Sequence, residues 1–301
     1  MVLALEPLAP DRRPPVGFFI SGDNMSQDHI SQKRAVYAIA GMERAAVRKD
    51  VIYRSTDAGP LTLDVYSPPD AADGARLPVV VLVAGYKDAG YEKMLGVKFK
   101  DMAMAVSWGR LLAASGMVAI VYTNHDPAAD LEALLQHLRD NAASLGIDGD
   151  RIGLWACSGN VPLALSALIR HGRDFVKCGA LLYGYMIDLD GVGGVAEAAA
   201  MFRFTNPNAG ASLDDLSENL PLLIVRAGQE QFPHLNDSID RFFAKALMLN
   251  RPITLVNHAE GPHSFDLLHD SDTSRHIIRQ VLDFLSAQLA PAGSSRERSR
   301  P

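Results

Sequence analysis

Short, wholly apolar runs alternate along this chain with longer amphipathic ones. Pro78-Val-Val-Val-Leu-Val-Ala84 and Met117-Val-Ala-Ile-Val-Tyr122 have strand length and no charged position, the pattern of strands buried on both faces of a parallel sheet. Ile152–Ala156, Cys178–Tyr183, Leu220–Ala227 and Ile253–Asn257 predict further strands of the same kind. Between and after these runs, Lys100–Ser115, Ala128–Leu145, Val161–Arg170, Ser238–Leu249 and Ser274–Leu289 carry apolar residues at helical spacing, and Gly116 stops the first of them. Strands and helices in alternation predict an α/β protein, a doubly wound, mostly parallel sheet with helices on both faces.

Two stretches depart from the alternation. Ahead of it, Ser31–Arg48 predicts a helix with a polar face, and Lys49–Thr56 and Leu61–Ser67 predict an antiparallel hairpin around Asp57-Ala-Gly-Pro60. Within it, residues 184–219 hold Gly191-Val-Gly-Gly194, an alanine-rich piece and Asn206-Pro-Asn-Ala-Gly210, which predicts a small cap-like insertion. Gly85–Val97 reads as a long loop. The expected organisation is an N-terminal arm and helix over 1–48, one α/β domain over 49–290, and a polar, Pro/Gly-rich tail over 291–301 that is expected to be disordered.

Composition narrows the class. Of 301 residues, 48% are hydrophobic, enough for a sizeable core, and the net charge of -6 with no basic run before the tail argues against a nucleic-acid partner. No stretch reaches the roughly 20 apolar residues of a membrane span. Met1–Arg13 has no basic start and is interrupted by Glu6, Pro7 and Pro10, unlike a secretory signal. Cys157 and Cys178 sit at opposite ends of predicted neighbouring strands, roughly 15–20 Å apart. Both are expected to be free thiols in a cytoplasmic protein. The histidines and cysteines lack zinc-like spacing, and no glycine-rich phosphate loop follows the first buried strand, so neither metal nor cofactor is expected. A homodimer is left open.

Ligands of open α/β sheets bind at the carboxyl ends of the strands. The polar residues there are Gly85-Tyr86-Lys87-Asp88, Thr123-Asn124-His125-Asp126, Cys157-Ser158-Gly159, Gly184-Tyr185, Gly228-Gln229-Glu230 and a loop ending in His263. Ser158 ends an apolar strand and opens a helix, the setting of a nucleophile elbow, where a sharp turn lifts the hydroxyl out of the sheet beside helix N–H groups. Among the histidines, His125, His258 and His269 compete with His263. The loop after the last strand should carry the base, and Gly261-Pro262 marks a turn there. Asp237 and Asp240 fall on or beside a helix, which leaves Glu230 as the strand-end acid. Cys157 reads as a packing residue, since no adjacent cation is identified to lower its pKa.

The order Ser158, Glu230, His263 resembles the α/β-hydrolase superfamily, whose triad runs serine, acid, histidine along the chain. Arg151-Ile-Gly-Leu-Trp155, Leu222–Glu230 and Gly261-Pro-His-Ser-Phe265 resemble its dienelactone-hydrolase-like and carboxylesterase branch, over about residues 50 to 290. The resemblance implies a nucleophile seven residues after the arginine, which selects Ser158 over Cys157. It also implies an oxyanion hole from the backbone N–H groups of Gly159 and Tyr86. The usual G-x-S-x-G stands here as Ala156-Cys157-Ser158-Gly159-Asn160, and a glutamate replaces the commoner aspartate. Asn160 is expected to be tolerated because asparagine accepts unusual backbone angles.

Lys87, Cys157, Tyr185 and Met201 are the candidate substrate contacts. The Met, Phe and Tyr residues between Tyr183 and Phe204, Phe202 among them, either line an apolar acyl site or pack the core. The expected function is hydrolysis of small or medium carboxylic esters through an acyl-enzyme on Ser158. A lactone, amide or peptide hydrolase on the same triad, and a non-catalytic binding protein that kept the fold, are the alternatives.

Overall fold

The computed structural model describes residues 30–72, 74–189 and 194–291. Residues 1–29 of the expected arm, most of the Gly191–Gly194 run and all but the first residue of the expected tail lie outside them. Eight strands form one sheet: β1 (Ala46–Thr56), β2 (Gly59–Ser67), β3 (Leu77–Leu82), β4 (Val118–Tyr122), β5 (Ile147–Cys157), β6 (Val176–Leu182), β7 (Leu222–Gln229) and β8 (Ile253–Pro262). Their spatial order is β1-β2-β4-β3-β5-β6-β7-β8. The β1–β2 hairpin joins β4 antiparallel, and every pair from β4 through β8 is parallel.

The wholly apolar runs behave as their composition demands. All of β4 is buried, and so are Val79 through Ala84 and Ile152 through Cys157, because both faces of these central strands are covered by helices or connections. The helices are α1 (Asp88–Leu95), α2 (Ala103–Ala114), α3 (Pro127–Asp140), α4 (Ala142–Leu145), α5 (Val161–His171), α6 (Val195–Phe202), α7 (Leu235–Met248), α8 (Phe265–Leu268) and α9 (Asp272–Gln288). Trp108 of α2 packs against Trp155 of β5 with ring centroids 4.8 Å apart. Asp126 caps α3 by accepting from the N–H groups of Ala128 and Ala129, with Pro127 at its first position.

Three expectations are corrected. Ser31–Arg48 is not a helix. It is irregular with a short 3-10 turn at Met42–Arg44, and β1 takes its last residues. Its backbone groups are spent on distant partners: the N–H of Ala35 on Ser107 Oγ, the N–H of Val36 on the Asp266 carbonyl, and the Ser31 carbonyl on the N–H of Ala103. Helix propensity is a weak preference that such tertiary bonds override. The Gly85–Val97 stretch holds α1 rather than a plain loop, closed by Gly96 in the left-handed region. The long helix expected over Ala128–Leu145 breaks at Asn141 into α3 and α4.

Candidate active site

Strand register brings the distant residues together. Gln229 at the end of β7 pairs with Pro262 at the end of β8, so Glu230 and His263, the next residue on each strand, emerge side by side. The β8 strand is longer than expected, and His263 therefore follows it directly. His263 Nδ1 lies 2.6 Å from Glu230 Oε2, and the Glu230 side chain is only 1% exposed. Its other oxygen, Oε1, accepts from the N–H groups of Gln231 and Phe232, both at 2.9 Å. Those two bonds fix the carboxylate plane and leave Oε2 for the imidazole.

Ser158 follows β5, two strands away across β6. Its φ is +55°, a left-handed conformation that a residue with a Cβ adopts only when its surroundings enforce it. Glycines on both sides leave room for the close approach that this turn requires. A Cβ on Gly85 would stand 2.8 Å from the Asn160 Cα and the Gly159 carbonyl oxygen, and one on Gly184 would stand 2.5 Å from the Ser158 carbonyl oxygen. Held this way, Ser158 Oγ points at His263 Nε2, 2.9 Å away. The structure thus joins Ser158, His263 and Glu230 in one hydrogen-bonded line.

Asn160, the departure at the outer position of the elbow, has an ordinary helical backbone (φ -83°, ψ -18°). Tolerance of unusual angles is not its role. Its buried side chain instead reaches the loop after β3, where Oδ1 accepts from the Gly85 N–H at 2.7 Å and the Tyr91 hydroxyl at 3.0 Å. The same loop is gripped at two more points. The Gly85 carbonyl accepts from the N–H of Thr205, and the Tyr86 carbonyl accepts from Asn124 Nδ2 at 3.1 Å. Since the peptide group is planar, holding the Gly85 carbonyl also sets the direction of the Tyr86 N–H. Among the described hydrogen bonds, neither the Tyr86 N–H nor the Gly159 N–H has an acceptor.

Two spaces border Ser158. The larger, about 260 Å³, is lined by Cys157, His263, Glu230 and apolar side chains that include Met94, Met102, Met104 and Leu267. The smaller, about 10 Å³, lies among Tyr86, Gly159, Tyr185, Phe202 and Phe204. Tyr185 is held there by its hydroxyl, which donates to the Pro233 carbonyl at 2.8 Å, and by stacking on Phe204. Cys157 reaches the larger space, but burial pushes its thiol up to about 12, so it stays protonated and weakly nucleophilic.

Two candidate contacts fall elsewhere. Lys87 is exposed and borders neither space, because the chain turns into α1 there and the Lys87 carbonyl serves the N–H groups of Gly90 and Tyr91. Met201 is 54% exposed, since α6 turns its neighbour Phe202 inward against Phe232 instead. Asp237 and Asp240, the rejected acids, have side chains 68% and 51% exposed. His258 is buried and bonded to Ser274 Oγ, away from Ser158.

A buried group behind the imidazole escaped the sequence reading. Asp266 is fully buried and accepts from the Tyr183 hydroxyl at 2.5 Å and from Trp108 Nε1 at 2.9 Å. Burial holds its pKa above the ordinary aspartate value. The Tyr183 ring stands edge-on to the His263 ring at 5.0 Å. The signal available was an acid set among apolar residues in Phe265-Asp-Leu-Leu268, three positions after the histidine.

Solved structures share this architecture. A carboxylesterase, EstE1, cloned from a metagenomic library aligns over 88% of this chain and 96% of its own at 19% identity, with a TM-score of 0.63. A thermophilic esterase from the planctomycete Thermogutta terrifontis aligns over 84% and 96% at 19% identity, with a TM-score of 0.61. An alpha/beta hydrolase enzyme from a deep-sea metagenome library of the Medee basin aligns over 81% and 98% at 16% identity, with a TM-score of 0.59. The chain has the α/β-hydrolase fold. At the level of sequence, no family model and no curated protein matches it. In an α/β-hydrolase fold the strand ends that carry Ser158, Glu230 and His263 form the ligand-binding edge of the sheet.

Among the described residues, no group of three or more His, Cys, Asp or Glu is arranged to hold a metal ion, and no helix is long and apolar enough to cross a membrane.

Proposed function

We propose that this protein is a serine hydrolase of carboxylic esters, with Ser158 as nucleophile, His263 as general base and Glu230 as the orienting acid. The observation that carries the reading is the line Ser158 Oγ–His263 Nε2 at 2.9 Å and His263 Nδ1–Glu230 Oε2 at 2.6 Å, with Ser158 at φ +55°. Glu230 accepts a hydrogen bond from the His263 Nδ1–H, which leaves Nε2 as the lone-pair nitrogen facing Ser158. His263 takes the Ser158 proton as the hydroxyl adds to the ester carbonyl, and the imidazolium so formed is stabilised by Glu230. The developing oxyanion is received by the N–H groups of Gly159 and Tyr86, each such donor being worth about 3–4 kcal/mol in the transition state. The alcohol leaves with the proton from His263. Water then repeats the sequence on the acyl-enzyme.

The neighbouring structures support an ester substrate over a lactone, amide or peptide. EstE1 is a carboxylesterase and the Thermogutta terrifontis enzyme an esterase, and the latter is phosphorylated by paraoxon and phosphonylated by sarin, which supports a reactive nucleophile. The further reading of a dienelactone-hydrolase-like branch rests on the Arg151–Trp155, Leu222–Glu230 and Gly261–Phe265 segments. Arg151 joins the end of α9 to the start of β5 through the Leu289 carbonyl and Asp148.

Hydrolysis of p-nitrophenyl acetate by the wild type and its loss in a folded Ser158→Ala variant test the reading. Full activity in that variant refutes it.

A further inference from the structure

Gly159, directly after the nucleophile, is a glycine for a reason other than its backbone. Its φ lies outside the left-handed region, so the chain conformation there accepts a side chain. What requires a glycine is Tyr86. A Cβ at residue 159 would collide with Tyr86 Oη and stand 2.8 Å from Tyr86 Cζ. The tyrosine hydroxyl thus lies over the Gly159 Cα, in the room that a side chain would take.

That hydroxyl has nothing to bond. Of the other tyrosines around the site, Tyr91 donates to Asn160 Oδ1, Tyr183 to Asp266 and Tyr185 to the Pro233 carbonyl. Among the described hydrogen bonds, the only polar group of Tyr86 with a partner is its carbonyl, which accepts from Asn124 Nδ2. Tyr86 is 8% exposed, and a polar group so buried ordinarily has a partner. Together with Ser158 and Gly159 it borders the space of about 10 Å³, which holds a single water-sized atom. The other hydroxyls of that border belong to Ser158 and Tyr185 and are spent on His263 and Pro233.

We infer that the Tyr86 hydroxyl is a catalytic group, which donates a hydrogen bond to the oxyanion beside the Gly159 N–H. This role rests on the serine hydrolase reading and deepens it: the carbonyl oxygen enters the small space and takes its negative charge there. A phenol ring separates the Tyr86 hydroxyl from the Tyr86 N–H. One oxygen is therefore served chiefly by one of the two, and the hydroxyl is the one packed against Gly159.

The phenol is aimed before a substrate arrives. Its ring meets the Tyr91 ring edge-on at 5.4 Å and the Phe204 ring at 6.3 Å, and Asn160 fixes Tyr91 in turn. A donor held this way needs no reorientation as charge develops. Burial keeps the Tyr86 pKa above that of an ordinary tyrosine, so the hydroxyl retains its proton and remains a donor. No proton leaves it during the reaction. Ser158 gives its proton to His263, the carbonyl π pair moves onto the oxygen, and the Tyr86 O–H bond stays intact.

Tyr86→Phe removes the hydroxyl and keeps both the ring and the backbone N–H, so it tests the role in the full-length protein. Loss of an oxyanion donor costs about 10²–10³ in kcat. The variant should hydrolyse p-nitrophenyl acetate with kcat about 100-fold lower, with KM little changed and Tm preserved. A trifluoromethyl ketone, which adds to Ser158 as a hemiketal oxyanion, should bind more weakly by about the factor lost from kcat/KM. A kcat within about threefold of the wild type, or an unchanged affinity for the ketone, overturns the inference. Either result returns the role to the Tyr86 N–H and leaves the serine hydrolase reading standing. Gly159→Ala keeps both N–H groups but puts a methyl where the phenol oxygen lies. It should lose kcat as well, and full activity in it counts against the assignment. A folded wild type that neither hydrolyses p-nitrophenyl acetate nor labels at Ser158 with a fluorophosphonate removes the serine hydrolase reading and the inference with it.

Discussion

Replacing Glu230 by glutamine changes one heavy atom and inverts the proton arrangement of the site. Glu230 Oε1 is fixed by two backbone donors, the N–H groups of Gln231 and Phe232. In Glu230→Gln the amide carbonyl must take those bonds, since an NH2 group facing two N–H donors leaves three donors and no acceptor in a site whose side chain is 1% exposed. The amide NH2 then faces His263 Nδ1, which must accept. Nε2 therefore carries the proton and can no longer take one from Ser158. Loss of the orienting carboxylate with the wrong tautomer costs about 10⁴-fold in kcat, or about 5 kcal/mol of barrier. The fold should survive, because volume and both backbone bonds are kept. The assay is kcat on p-nitrophenyl acetate beside thermal unfolding. A loss smaller than about tenfold with an unchanged Tm refutes the orienting role of Glu230, and damage from Asp237→Asn instead assigns the acid elsewhere.

Other contacts make their own predictions. Asn160→Gly restores the commoner elbow pattern yet strips the acceptor from the Gly85 N–H and the Tyr91 hydroxyl. It should cost about 3 kcal/mol of stability, read by denaturant unfolding, and lower kcat rather than raise KM. A variant as stable and active as the wild type shows that these bonds do not matter. Cys157 and Cys178 are both buried, with thiols pushed up to about 12. Iodoacetamide at pH 8 should leave both unmodified until the protein is unfolded, and rapid native-state labelling of Cys157 would reopen the choice of nucleophile. Asp88 is buried and its pKa is raised to about 6, chiefly by burial. A carboxyl raised in the folded state binds its proton more tightly there than in the unfolded chain, so its contribution falls as pH rises from about 4 to about 6, by about 3 kcal/mol. Asp88→Asn should flatten that part of the Tm-against-pH curve, and a slope of the same size in the variant places its origin in other groups.

The strand-end chemistry was legible because a parallel sheet constrains it. Once Pro78–Ala84, Met117–Tyr122 and the later apolar runs are read as buried strands, their carboxyl ends must share one edge, and few polar residues stand there. Ser158, Glu230 and His263 needed no knowledge of packing to be placed together. Met201 and Lys87 needed it. Which of two adjacent residues in a short helix faces inward depends on how α6 docks, and its eight residues fall in a segment without a long apolar period. The stretch from Ser31 to Arg48 has the composition of a helix, and only the distant partners Ser107, Ala103 and Asp266 reveal why it is irregular. Asn160 was visible as a departure from a pattern. Its function was not, because the bonds that explain it run to Gly85 and Tyr91, some seventy positions earlier in the chain.

The central claim is that Ser158 is an activated nucleophile, and the most direct measurement is covalent trapping by a fluorophosphonate, with the modified residue located by mass spectrometry. Stoichiometric labelling of Ser158 in the native protein, abolished in the Ser158→Ala and strongly slowed in the Glu230→Gln variant, is the predicted result. A folded wild type that never labels, or labels at a residue other than Ser158, contradicts the account.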